Sequence, residues 1–145
     1  MNIYIDCEWN DFEGALISVA LVPQEIVGAS EFYIEFELPD NLIITPWVLD
    51  NVMCHTTGKR YSLEYAQKAL ANYLQFFERV HIIADWPEDI ERFCKLLITG
   101  PGKRLNTPPL TMEVIRKDAP SKVPHHALHD ARGLRDAMLI GGSGE

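Results

Sequence analysis

The chain has 145 residues, 47% of them hydrophobic and 23% charged, with a formal net charge of −8 at pH 7. That length suits one domain able to bury roughly two thirds of its unfolded surface, and the acidic balance argues against a protein that coats nucleic acid. No apolar run reaches the ~18–20 residues that span a bilayer. The N-terminus has no signal-peptide pattern, and the widely spaced Cys7, Cys54 and Cys94 give neither a disulfide framework nor a zinc spacing, so a cytoplasmic protein is expected.

Residues 2–9 read as a first strand. Within it Asp6 and Glu8 stand two residues apart around Cys7. Side chains alternate along a strand, so both carboxylates point to one side, roughly 6–7 Å apart at about 3.3 Å rise per residue. The nearly continuous apolar run of residues 15–23 predicts a second, buried strand. Residues 31–38 alternate, with Phe32, Ile34, Phe36 and Leu38 on one face and Glu31, Tyr33, Glu35 and Glu37 on the other, which predicts a half-exposed edge strand. Short connections make these three an antiparallel meander.

Helices follow. Pro46–Met53 has proline at its start. Residues 62–78 place Leu63, Ala66, Leu70, Tyr73, Leu74 and Phe77 at helical spacing behind Ser62 as N-cap. Residues 80–84 predict a fourth strand, 85–97 a helix with Ile90, Phe93, Leu96 and Leu97 inward, residues 100–109 a turn-rich loop, 110–115 a fifth strand and 125–140 a last helix. Residues 141–145 read as a disordered tail after a single domain over 1–140. The order predicts an α/β fold: a mixed sheet, its first three strands antiparallel and its fourth and fifth parallel, flanked by helices. The first strand would be central, where a pair of like charges needs protons, cations or a metal to compensate them.

More carboxylates occur later. Asp85 ends an apolar strand, Pro87 follows, and Glu88 lies three residues on, which matches a capping box with Asp85 as N-cap. Asp89 has no such local task and is favoured as the chemical residue, with Asp85 as the alternative. In "HHALHDA", Asp130 falls on the last helix and His125 at its entry after Pro124. A rival register pairs His125 with His129, or His126 with Asp130, at the i,i+4 spacing that holds zinc on a helix face.

Asp6-x-Glu8 on the first strand, an aspartate early in the helix after the fourth strand, and His125-x4-Asp130 on the last helix together resemble the DEDDh exonuclease pattern. The superfamily includes the proofreading subunit of DNA polymerase III, ribonuclease T and oligoribonuclease. The resemblance runs from residue 2 to about residue 140. It is closest to the compact bacterial, mycobacterial-type exoribonuclease branch through "YIDCEW" and "HHALHDARGLRDA". Three positions depart from the wider pattern: Asp85 stands where Asn is usual, Glu88 where an aromatic is usual, and Trp9 where Thr is common.

The resemblance implies a ribonuclease-H-like fold and 3′-5′ release of nucleoside 5′-monophosphates from the 3′ end of a single strand, RNA favoured. It implies two divalent cations, Mg²⁺ or Mn²⁺, held by Asp6, Glu8, Asp89 and Asp130, with His125 as general base; a homodimer is a further expectation. The chemistry suits these residues. Two hard cations about 3.5–4 Å apart can activate water and stabilise the leaving oxygen, and carboxylates are the ligands such cations prefer. Trp9 and Asn10 are candidate contacts for the terminal nucleotide, since a base–aromatic stack contributes ~1–3 kcal/mol. Lys59, Arg60, Lys103, Arg104, Arg116, Lys117 and Lys122 are candidate backbone contacts. Two rivals remain: an HD-type or zinc phosphohydrolase using His129–Asp130, and a non-catalytic nucleic-acid-binding module.

Overall fold

β1 (Asn2–Trp9) lies in the interior of a six-stranded mixed sheet. The computed structural model describes residues 1–25 and 30–143. β2 (Leu16–Pro23) pairs antiparallel with β1, and β3 (Phe32–Phe36) antiparallel with β2. β4 (Arg60–Tyr61) adds to β3 in parallel. On the other side of β1, β5 (Val80–Ala84) and then β8 (Leu110–Val114) join in parallel, for an order β4-β3-β2-β1-β5-β8. The meander, the parallel strands and the interior place of β1 are as the patterning predicts. The edge expected at β3 is instead covered by β4, a strand too short for alternation to reveal. In place of a plain loop, β6 (Ile98–Gly100) and β7 (Lys103–Arg104) form a small hairpin.

Both faces of the sheet are covered. On one, Ile3, Ile5, Cys7, Val19, Leu21 and Ile34 pack with α2 (Leu63–Leu74) and α3 (Pro87–Leu97) in the largest core cluster. On the other, α4 (Ala127–Ser143) sits low on the sheet because Ala127 and Ala131 meet Ala20 and Val22, and Leu134 meets Tyr4 and Ile83. Burial from both sides is why β2 reads as an unbroken apolar run. α1 (Pro46–Asn51) and its C-cap Val52 close one end, with Val48 and Val52 against Ile17. No helix among the described residues is long and apolar enough to cross a membrane.

Helix boundaries show what local signals miss. Ser62 caps α2 as predicted, its hydroxyl accepting from the Tyr65 N–H at 3.1 Å, but α2 ends at Leu74 and Leu63 is exposed. α1 stops at Asn51 and passes into a 3-10 turn at Met53–His55. The capping box at Asp85 does not form. α3 begins at Pro87, its N-cap is Trp86, and no side chain caps it. α4 starts at Ala127, two residues after His125, and continues through Ser143 into the expected tail; residues 144 and 145 lie outside the described residues.

Candidate metal centre

β1 and β5 pair only as far as Tyr4 and Ile83. Beyond that point they part, and a crevice opens at their carboxyl ends, where open α/β sheets generally bind ligands. Five carboxylates gather around it: Asp6, Asp85 and Asp130 line its cavity, and Glu8 and Asp89 lie close to them. Asp6 and Glu8 extend from β1 on the face that also carries Tyr4, towards α4, so the strand does aim both at one spot. Asp85 follows β5 directly, Asp89 lies in the first turn of α3 and Asp130 in the first turn of α4. The positive ends of two helices thereby face the cluster and offset part of its charge.

The carboxylates form two overlapping triads. Oxygens of Asp6, Glu8 and Asp130 lie within 4.8 Å of one another, and so do oxygens of Asp6, Asp85 and Asp89. Asp6 belongs to both, and its buried Oδ2 has no hydrogen-bond partner. Asp89, buried at 1% exposure, is fixed from one side: the Cys7 N–H donates to its Oδ1 at 3.0 Å. The structure thus brings Asp85 into the cluster together with Asp89 instead of assigning it to a helix cap. Each triad can hold a cation, and an all-oxygen donor set with an unpartnered buried oxygen fits a hard divalent ion.

Electrostatics agree with that fit. Burial, then the charges of Asp89, Glu8 and Asp130, hold the Asp6 carboxyl well above the usual range. Burial and the neighbouring Asp130 push Glu8 up to about 8. Asp89 is also pushed to about 8, by burial and by Asp85 and Glu88, although its bond from Cys7 acts the other way. Burial raises Asp85 as well. Like charges crowded out of water hold protons unless a cation replaces them.

His125 stands beside the cluster on the connection into α4. Its backbone is left-handed, with φ 66°, a conformation uncommon outside glycine and found where surroundings over-determine it. Here the His125 N–H donates to Asp130 Oδ2 at 3.1 Å, and the exposed ring meets Trp47 edge-on at 4.9 Å. The ring borders both the Asp6–Asp85–Asp130 cavity and a second cavity lined by Glu8 and Trp9. His126 has a different task. Its Nδ1 accepts from the Leu128 N–H at 3.2 Å and its carbonyl accepts from the Asp130 N–H, so it caps α4. Its ring stacks on Tyr33 at 5.0 Å and meets His129 edge-on. Among the described residues, the clusters of three or more groups suited to a cation contain no histidine.

Trp9 follows a break in the β1–β2 register and carries the Arg92 guanidinium 5.3 Å from its ring, with one side towards the cavity beside Glu8. Asn10, expected to contact the terminal nucleotide, is instead held within the protein. It is buried, its Nδ2 donates to the Ile43 carbonyl at 3.0 Å and its Oδ1 accepts from the Thr45 N–H at 3.2 Å, so it ties down the approach to α1 rather than facing a ligand. The tight loop after it requires Gly14, where a Cβ would lie 1.6 Å from the Asn10 carbonyl oxygen.

Two residues beside the site escape the sequence reading. Trp47, 56% exposed, reads there only as part of a short helix. Glu35 falls on the polar stripe of β3, yet it is 2% exposed. Its carboxylate accepts from Tyr33 Oη at 2.5 Å, Thr57 N at 2.8 Å, Gly58 N at 3.0 Å and Thr57 Oγ1 at 3.1 Å. Burial alone would raise its pKa; these donors outweigh burial and lower it. Alternation gave no signal, because the loop that buries Glu35 comes from 22 residues further along.

Comparison of the chain with protein-family models, curated proteins and solved structures finds no match.

Proposed function

We propose that the chain is a ribonuclease-H-like, divalent-cation-dependent 3′-5′ exonuclease that releases nucleoside 5′-monophosphates from single-stranded nucleic acid. The observation that carries this reading is the double membership of Asp6. One strand carboxylate shared by the Asp6–Glu8–Asp130 and Asp6–Asp85–Asp89 triads suits two neighbouring cations. An antiparallel β3-β2-β1 meander continued by parallel β5 and β8, with helices on both faces, suits the fold part of the reading. RNA or short oligonucleotides are favoured through the resemblance of "YIDCEW" and "HHALHDARGLRDA" alone.

Mg²⁺ or Mn²⁺ bound there would neutralise charge developing on the phosphate and make water more acidic. Asp6, Glu8, Asp89 and Asp130 would hold the ions, with Asp85 able to replace or join Asp89 as third carboxylate. His125, exposed between the two cavities, accepts the proton of the attacking water while its backbone N–H keeps Asp130 in place. Trp9 and Trp47 flank the cavity beside Glu8 and offer flat apolar surface to the terminal base.

The test is product analysis of 3′- and 5′-labelled single-stranded RNA and DNA incubated with Mn²⁺, Mg²⁺ or EDTA. Stepwise release of 5′-mononucleotides from the 3′ end, abolished by EDTA, is the expected result. Tight binding without turnover would favour the non-catalytic module instead.

A further inference from the structure

A second groove opens beside the acidic crevice, and it carries the opposite charge. It has a volume of about 700 Å³ and runs between α4 and the segment 117–122 that crosses it. The crossing is close because Gly133 has no side chain: a Cβ there would lie 2.3 Å from the Pro120 carbonyl oxygen. Lys117, Lys122, Arg132 and Arg135 line the groove, on a chain whose net charge is −8. Asp136 also lines it. Two of the four are already engaged. Arg132 holds Glu31 with two bonds of 2.7 Å, and Arg135 contacts Asp136 at 3.0 Å and Glu31 at 4.0 Å. Lys117 and Lys122 have no carboxylate partner among the described residues.

The groove and the acidic crevice share a wall, since Pro120 and Ser121 line both. In that wall the Ser121 Oγ is buried without a hydrogen-bond partner. A further cavity meets the crevice at His125 and shares no residue with the groove; it is lined by Trp9, Phe12 and Trp47 together with Glu8, Asp11 and Glu88, and by no lysine or arginine. A strand cut at the crevice has one terminal nucleoside on one side and every remaining phosphate on the other. An aromatic cavity suits the single base, and a cationic groove suits the repeated charge.

We propose that the α4 groove binds the phosphates of single-stranded nucleic acid on the 5′ side of the bond cut at the carboxylate crevice, with Lys117 and Lys122 as phosphate contacts and the Ser121 hydroxyl as a donor at the shared wall. The proposal rests on the exonuclease reading and adds to it the direction in which the strand lies. It also separates Lys117 and Lys122 from the other loop cations: Lys59 sits over Tyr61, Arg104 bonds Thr107, and neither lines this groove.

The experiment compares two substrates in the full chain and in a Lys117→Gln/Lys122→Gln variant, both with Mn²⁺. The p-nitrophenyl ester of thymidine 5′-monophosphate has no nucleotide upstream of its reacting phosphate; a single-stranded oligonucleotide has many. The variant should hydrolyse the ester at the wild-type rate. On the oligonucleotide its KM should rise several-fold at unchanged kcat, and the log–log salt dependence of KM should flatten by about 0.7 per lost contact. An unchanged oligonucleotide KM overturns the proposal, and so does an equal loss on both substrates, which would report a structural effect. A dimer that dissociates in the variant, with oligonucleotide KM unchanged, assigns the groove to a second copy of the chain and equally overturns it. Wild-type protein that cleaves neither substrate overturns the exonuclease reading, and this assignment with it.

Discussion

The Cys7 N–H on β1 donates to Asp89 Oδ1 on α3 at 3.0 Å, across 82 residues of sequence. This bond reaches the part of β1 that β5 has left unpaired, so it replaces a strand–strand contact by a carboxylate. One oxygen of Asp89 thereby accepts from the backbone, while its carboxylate also belongs to the acidic cluster. Asp89→Asn keeps an oxygen for Cys7 and removes the charge, so it should fold with near-normal stability but bind Mn²⁺ weakly and turn over poorly. Asp89→Ala also strands the buried Cys7 N–H and should lose roughly 1–3 kcal/mol. Thermal melts and calorimetric Mn²⁺ titrations of both variants check this; equal melting temperatures would remove the structural role of the bond.

Acidity should govern the stability of the metal-free protein. Glu8 and Asp89 rise from ordinary carboxylate values of 4.5 and 3.8 to about 8 in the folded chain. Between those values the folded state binds more protons than the unfolded state, so stability should fall as pH rises from about 4 to about 8. Melting in EDTA across this range should show that decline, and Mn²⁺ should reverse it most at the alkaline end. Glu8→Gln should flatten the decline and abolish turnover. A metal-free melting temperature that climbs over the same range would contradict the electrostatic account.

The two adjacent histidines should separate cleanly. His125→Ala should lower turnover by roughly 10²–10⁴-fold, as for loss of a general base, with Mn²⁺ affinity unchanged. His126→Ala removes the α4 cap and the stack on Tyr33, so it should lose about 0.5–2 kcal/mol of stability while keeping most of its activity. Rate against pH and Mn²⁺ affinity, measured for both, distinguish the roles. Loss of metal binding in His126→Ala with His125→Ala active would point to the zinc register instead.

Glu35 should matter to both stability and the site. Its donors tie the 57–58 turn to β3, and Tyr33, one of those donors, supports the His126 ring at the start of α4. Glu35→Ala leaves buried donors unpaired and should cost roughly 1–3 kcal/mol or more. Because its folded pKa is lowered, its contribution should be full above about pH 4.5 and be lost as pH falls below that value. Denaturant midpoints of wild type and Glu35→Ala at pH 7 and at acid pH check this: the gap between them should shrink in acid.

Period-two alternation along β1 is a property of the chain itself, so the common direction of Asp6 and Glu8 was legible without any partner strand. The same holds for the apolar run of β2, the Ser62 cap of α2, the inward stripe of α3 and the meander of the first three strands. What covers a given face is set by segments far away in sequence. Glu35 read as solvated because the Thr57–Gly58 turn that buries it has no trace in its own strand. Asn10 read as available because its partners are Ile43 and Thr45. Asp85 read as a cap because the sequence around it has the right residue types, whereas the folded chain starts α3 two residues later and leaves Asp85 facing Asp6. The sequence therefore determined which carboxylates were chemically apt and which way the first two point. Only the tertiary structure, by parting β1 from β5 and bringing the first turns of α3 and α4 to the gap, decided that five of them gather in one cluster around Asp6, because Coulomb repulsion and burial act through distances in space that residue spacing does not encode.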